Sequence, residues 1–190
     1  MSLTSEIEKA GIALVRPLLM EWCECHEGFI DTNTAQRSAD WQRTLGDFLV
    51  KSKKTGRWVA VEVKTEERWT GNFFAETYSN AQPGAYERHG WLLTLKADAL
   101  VNVFLDRRVA VAMSFPSLRQ WLIEEENAYR YERRVPHRDQ RNLTVGHIVP
   151  FDDLARVESV RPAFYQQQPD GGWASCPPES LGLRKPTLAA

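Results

Sequence analysis

Asp47, Glu62 and Lys64 are of the types, and at the spacing, that metal-assisted hydrolysis calls for. In the run Trp58-Val59-Ala60-Val61-Glu62-Val63-Lys64, strand side chains would alternate faces. Glu62 and Lys64 would then project together while Val59, Val61 and Val63 turn into a core. A preceding strand over 47–51 (Asp-Phe-Leu-Val-Lys), joined through the turn-forming stretch Ser52 to Arg57, would complete an antiparallel hairpin and bring Asp47 close to Glu62 and Lys64. Two neighbouring carboxylates repel, and a divalent cation between them removes that cost. Oxygen ligands from Asp47 and Glu62, with the Val63 carbonyl and waters, suit Mg²⁺ or Mn²⁺. Such an ion lowers the pKa of a bound water and neutralises charge on a phosphate, while Lys64 would orient that water or stabilise the developing pentavalent phosphate. The chemistry indicated is phosphodiester hydrolysis.

The elements needed to position these groups can be read on either side of the hairpin. Ile7, Gly11, Leu14, Val15, Leu18 and Trp22 recur on one face of an opening helix. Ser5 and Glu8 fit a capping box at its start, and Pro17 is expected to kink or split it. A polar stretch from His26 to Thr44 follows, with room for a short strand at Gly28 to Asp31. Further strands are expected over Asn72 to Tyr78, 101–105 and 108–113, with 90–100 open to either helix or strand. Ser117 to Tyr131 reads as one helix with Leu118, Trp121, Leu122 and Glu125 along an edge. From Pro162 onward five prolines and Gly171-Gly172 suggest a loosely ordered tail.

Other groups have a structural reading beside a functional one. Glu76, on an alternating face with Asn72 and Phe74, is a further ligand or a solvated strand carboxylate. Asp98, ahead of an apolar strand, reads as a cap or structural hydrogen-bonding residue, and Asp40 sits in a loop-like setting. His26, His89, His137 and His147 lack metal-ligand spacing, and Cys23, Cys25 and Cys176 read as reduced thiols. Arg130, Arg133, Arg134, Arg138 and Arg141, with Tyr129 and Tyr131, would suit phosphate contacts and base stacking, or a solvated face paired with Glu124, Glu125 and Glu126. A second basic cluster, Lys51, Lys53, Lys54 and Arg57, would lie at one end of the site.

A chain of 190 residues with 43% hydrophobic content supports one substantial core. Its net charge of −1 confines any nucleic-acid surface to a local patch. Its apolar runs fall short of the roughly 18 residues that a membrane span needs. The opening residues lack the basic flank of a secretory signal, so a cytoplasmic location is expected.

Gly46-Asp47-Phe48, the hairpin and Glu62-Val63-Lys64-Thr65 resemble the Asp…Glu-x-Lys signature of the PD-(D/E)xK nuclease superfamily, which includes restriction endonucleases, phage exonucleases and archaeal Holliday-junction resolvases. The resemblance covers about residues 1–115 and extends to the order of elements. Gly71-Asn72…Glu76 and Gly90-Trp91…Ala97-Asp98 are also similar to small nucleases of phages and mobile elements. The proline of the family name is absent before Asp47, and Glu6, Glu8 and Glu21 compete for the acidic position that the superfamily often carries on its first helix. The resemblance implies an α/β, restriction-endonuclease-like core over 1–160, a central mixed sheet flanked by helices, with 161–190 as the tail. It further implies a Mg²⁺- or Mn²⁺-dependent deoxyribonuclease with Asp47 and Glu62 as metal ligands, Lys64 as a catalytic group, DNA as partner, and a homodimer if both strands are cut. The rival expectation is a catalytically inactive nucleic-acid-binding or regulatory protein on the same scaffold. A third is an interaction protein whose basic segment docks an acidic partner.

Overall fold

The computed structural model describes residues 3–32, 45–79, 88–136 and 143–184. The chain opens with helix α1 (Leu3–Trp22), which starts ahead of Ser5 and runs through Pro17 without a break. The expected capping box is therefore not at the helix start. Glu8 lies exposed on the second turn. Val15, Leu18 and Leu19 are fully or almost fully buried, the face that the apolar periodicity requires.

Strands β1 (Phe29–Asp31), β2 (Phe48–Lys51), β3 (Trp58–Glu66), β6 (Ala99–Phe104), β7 (Val109–Ser114), β10 (Ala163–Gln167) and β11 (Trp173–Ser175) form one seven-stranded sheet in the order β1-β2-β3-β6-β7-β10-β11. It is mixed, because β3 and β6 run parallel while the other neighbours are antiparallel. The parallel step needs a crossover, and residues 67–98 supply it. Within that crossover lie β4 (Asn72–Ser79), β5 (Arg88–His89) and the short helix α2 (Trp91–Thr94).

A second, four-stranded antiparallel sheet, in the order β5-β4-β9-β8, joins β4 to β9 (Leu143–Pro150) and β8 (Glu132–Pro136). The molecule is thus α/β with a mixed sheet, but helices do not flank that sheet evenly. Along one face α1 packs Val15, Leu18 and Leu19 with Phe48, Val61, Val63, Val101 and Val103. On the other face Leu100, Phe104, Val109 and Val111 share a core with Phe73, Ala75 and Val149 of the second sheet and with Leu92, Phe115, Leu118 and Leu122. This core also takes in Phe151 of α5 (Phe151–Leu154), whose ring stacks on Trp69 at 5.3 Å between centroids.

Two further expectations are corrected. The single helix over 117–131 is two, α3 (Phe115–Ile123) and α4 (Glu125–Tyr131), because Glu124 takes extended dihedrals (φ −58°, ψ 135°). Ser114 caps α3 at its start, and the Asn127 amide donates to the Trp121 carbonyl across the break. The segment from 161 is not a loose tail either. β10 pairs with β7, β11 extends the sheet, and Trp173, Leu181 and Leu183 are buried. Its described prolines and glycines fall outside the strands, in connections, turns and the terminal 3₁₀ turn, where a missing donor or a positive φ (Gly171 and Gly182) is tolerated.

Candidate active site

The hairpin places Asp47 through unequal strand lengths. β2 pairs Phe48 with Val61, and Asp47 continues the ladder by donating its backbone N–H to the Val61 carbonyl at 2.9 Å. β3 runs on past this point, and the Val63 N–H finds the Asp47 carboxylate instead of a backbone acceptor (Oδ2, 2.9 Å). Approach this close depends on Gly46. Its φ is +90°, and a Cβ there would sit 2.7 Å from the Val61 carbonyl oxygen and 3.0 Å from Glu62 Oε2. Thr32, fully buried just after β1, pins the same turn. Its N–H donates to the Asp47 carbonyl at 3.0 Å and its hydroxyl to the Gly46 carbonyl at 2.7 Å.

Glu62 and Lys64 share the face of β3 opposite α1, as strand alternation requires. Lys64 Nζ donates to Glu62 Oε1 at 2.5 Å and sits 5.3 Å from the centre of the Trp91 ring, a cation–π contact at the start of α2. Across the parallel pairing Lys64 is level with Asn102, which is 1% exposed and whose amide Nδ2 has no hydrogen-bond partner among the described residues. α1 closes the other side. Gly11 lies so tightly on Thr65 that any Cβ would overlap the threonine side chain. One turn earlier Glu8 is near enough for its charge to act on both Asp47 and Lys64.

Charge in this cluster is unbalanced. Asp47 and Glu62 are each only 8% exposed, and one ammonium faces three carboxylates. Burial, followed by the charge of Glu62, pushes the Asp47 carboxyl up to about 7, against the opposing effect of the Val63 N–H. Burial pulls the Lys64 ammonium down, but the Glu62 charge and hydrogen bond, with Asp47 and Glu8 behind them, outweigh it and leave its pKa raised.

No family model matches the chain, and neither a curated protein nor a solved structure does.

The donor set is compatible with a hard divalent cation. Among the described residues no group of three or more His, Cys, Asp or Glu side chains converges as a metal cage, so the protein ligands would be the two carboxylates of Asp47 and Glu62. One or two carboxylates and a partly retained water shell are what Mg²⁺ ordinarily accepts.

The remaining sequence candidates separate by position. Asp98 is structural, its carboxylate accepting the Ala60 N–H at 2.8 Å and its own N–H donating to the Ala60 carbonyl at 2.9 Å. Glu76 lies on the second sheet, packed against Gly90, one residue from Trp91. Glu21 lines an apolar groove with Trp22, Val50 and Tyr165 at the far end of α1. His147 is buried against Thr77 (3.2 Å), whereas His26 and His89 are exposed. The three cysteines are free thiols.

In the basic segment Tyr131 is buried and donates to Asp153 at 2.9 Å, which removes it from any role in base stacking. Arg130 pairs with the same aspartate at 3.7 Å and Arg133 is exposed. Asp40, His137, Arg138 and Arg141, and the side chains of Tyr129 and Arg134, lie outside the described residues. The Lys53-Lys54 turn lies beyond the end of β2 opposite Asp47, where Lys51 is already roughly 14 Å away at a strand's rise and is paired with Glu24 at 2.8 Å.

Thr32, Trp91 and Asn102 are partners of the site that the spacing of Asp47, Glu62 and Lys64 does not reveal. Thr32 reaches it through the turn. Asn102 reaches it through a register that single-strand periodicity does not contain. Asn102 did carry one signal, as a lone amide within the apolar run Ala-Leu-Val-Asn-Val-Phe.

Proposed function

We propose that this protein is a metal-dependent nuclease that hydrolyses DNA phosphodiester bonds in the cytoplasm, with a restriction-endonuclease-like core around Asp47, Glu62 and Lys64. The observation that carries the reading is the buried pair of carboxylates, under-neutralised by the protein, with the Lys64 ammonium on the same strand face. Nothing in a purely structural role accounts for leaving that negative charge uncompensated in a desolvated place. Asp47 and Glu62 would hold Mg²⁺ or Mn²⁺, which when bound supplies an activated water and charge neutralisation at the phosphate. Lys64, kept protonated by Glu62 and held by the Trp91 ring, donates to the phosphate oxygens as their charge grows. Asp47, fixed by the Val63 N–H, keeps its second oxygen for the cation. Glu8 adds negative potential at the mouth. A dimer is expected where both strands are cut.

The test is cleavage of linear, circular and four-way-junction DNA with and without Mg²⁺ or Mn²⁺, beside calorimetric titration of Mn²⁺. Lys64→Ala should fold, retain Mn²⁺ binding and lose most cleavage, by about 100-fold or more as for loss of one transition-state donor. Glu62→Gln should lose both metal and cleavage, because an amide oxygen is a poorer ligand for a hard cation. Wild-type cutting by Lys64→Ala would overturn the assigned mechanism. An absence of Mn²⁺ binding by the wild-type chain would favour a non-catalytic nucleic-acid-binding protein on this scaffold.

A further inference from the structure

Glu66 is the next residue after Lys64 on the same face of β3, roughly 7 Å farther along the strand. It lines a cavity of about 330 Å³ with Thr70, Asn72, Phe73, Phe74 and Ile148. The cavity is joined to the candidate site by side chains as well as by the strand, since Phe73 packs edge-on to Trp91 at 6.1 Å and Trp91 covers Lys64.

Its lining is divided by chemistry. Phe74 and Ile148 are cross-strand partners and give it a half-buried apolar wall. The Phe74 ring lies over Gly146, where a Cβ would meet it at 2.7 Å, so the wall depends on a glycine behind it. The polar side offers acceptors. The Asn72 amide nitrogen is engaged with the Thr70 carbonyl at 3.0 Å, which leaves its oxygen to point elsewhere. Glu66 is exposed overall and no described residue forms an ion pair with it, and its partial desolvation beside the cavity raises its carboxyl above its ordinary value. A flat apolar wall facing a carboxylate and an amide oxygen fits a planar ring with donors along one edge.

From this arrangement we infer that the cavity is a nucleobase subsite for an unstacked guanine beside the scissile phosphate. Guanine presents N1–H and the N2 amino group side by side, a spacing that a carboxylate's two oxygens accept together, with the ring face against Phe74 and Ile148. Thymine offers one donor, and hypoxanthine lacks the amino group. The inference rests on the nuclease reading for its phosphate. It narrows the substrate to a strand with a base out of the stack, as in single-stranded or junction DNA.

The experiment is fluorescence anisotropy of the metal-free protein with labelled 11-mers of deoxythymidine carrying dG, deoxyinosine or dT at the central position. Binding of the central-dG strand about tenfold more tightly than the all-thymidine strand is expected, with deoxyinosine between them. Glu66→Gln should erase the preference for dG over dT, while the loss of one negative charge shifts affinity for the three strands alike. Asn72→Ala, at the half-buried start of β4, should reduce the preference in part. A preference that is absent, or that persists in Glu66→Gln, overturns the assignment, as does a failure to bind any of the three strands. The readout involves no cleavage, so a chain that selects dG but cuts nothing with Mn²⁺ would refute the nuclease reading and leave the base pocket standing.

Discussion

Replacing Asp47 by Asn should stabilise the metal-free protein at alkaline pH while removing its affinity for Mn²⁺. In the folded chain the Asp47 carboxyl is pushed from 3.8 up to about 7, by burial first and by Glu62 second. Below about pH 4 both folded and unfolded chains are protonated there, and the group contributes nothing. Between about pH 4 and pH 7 the folded state holds a proton that the unfolded chain has released, so wild-type stability falls as pH rises through that window and stays lost above it. The shift is about three units at ~1.4 kcal/mol each, which sets a ceiling of about 4 kcal/mol. Asparagine has no charge to desolvate and still offers an oxygen to the Val63 N–H. At ~2–4 °C per kcal/mol for a chain of this length, and with relaxation taking part of the ceiling, Asp47→Asn should melt about 5–10 °C above wild type near pH 8.5. The gap should hold down to about pH 7 and narrow from there toward pH 4. Thermal melts in chelator across this range measure it. Addition of Mn²⁺ at pH 8.5 should raise the wild-type midpoint and leave that of Asp47→Asn unmoved. A gap that does not vary with pH, or an Asp47→Asn midpoint below wild type at pH 8.5, would refute the claim that this carboxylate is buried under uncompensated charge.

Gly46→Ala should cost about 1–3 kcal/mol in urea denaturation, because it forces a side chain to φ +90° against the Val61 carbonyl. It should also weaken Mn²⁺ binding by displacing Asp47, and unchanged affinity would show that the close approach is not what positions the carboxylate. Replacing Arg133, Arg134 and Arg138 together should weaken DNA binding and flatten its dependence on log salt by as much as ~2–3 units. An unaltered slope would assign that segment to the solvated surface.

The hairpin could be read from the sequence because its information is local. Alternating valines over 58–64 and a Lys-Lys-Thr-Gly turn set strand, faces and reversal within some twenty residues, and the structure pairs Phe48 with Val61 accordingly. The second sheet could not be read in the same way. Its central pairing joins β4 to β9 some seventy residues later, and its edge strand, Glu-Arg-Arg-Val-Pro, is charged and proline-ended as edges usually are, so it reads as a basic segment. β10 and β11 were masked by flanking prolines and glycines that serve only their turns. At the site, Glu62 and Lys64 followed from strand alternation, whereas the Trp91 contact and the Asn102 neighbour depend on how the crossover returns beside β3.

Several unfavourable features of the fold meet at the candidate site. Asn102, with an unsatisfied buried amide, stands level with Lys64 in the parallel pair, and Asp47 and Glu62 are buried with more negative charge than Lys64 can neutralise. An unsatisfied buried amide ordinarily costs about 1–3 kcal/mol, and an apolar side chain at 102 would extend the core formed by Leu100 and Phe104 on either side of it. On the face toward α1, Val61, Val63, Val101 and Val103 meet Val15 and Leu18, and the polar residue in that row, Thr65, packs its side chain against Gly11. A fold that packs one face of β3 and β6 so completely, and leaves charge and an orphaned donor on the other, is not short of hydrophobic residues. Among the described residues Arg119, His147 and Trp173 also bury an unpartnered nitrogen, but each stands singly, whereas Asp47, Glu62 and Asn102 bury polar groups together beside Lys64. Such clustering is expected of a group of side chains kept for a ligand that the protein alone does not supply.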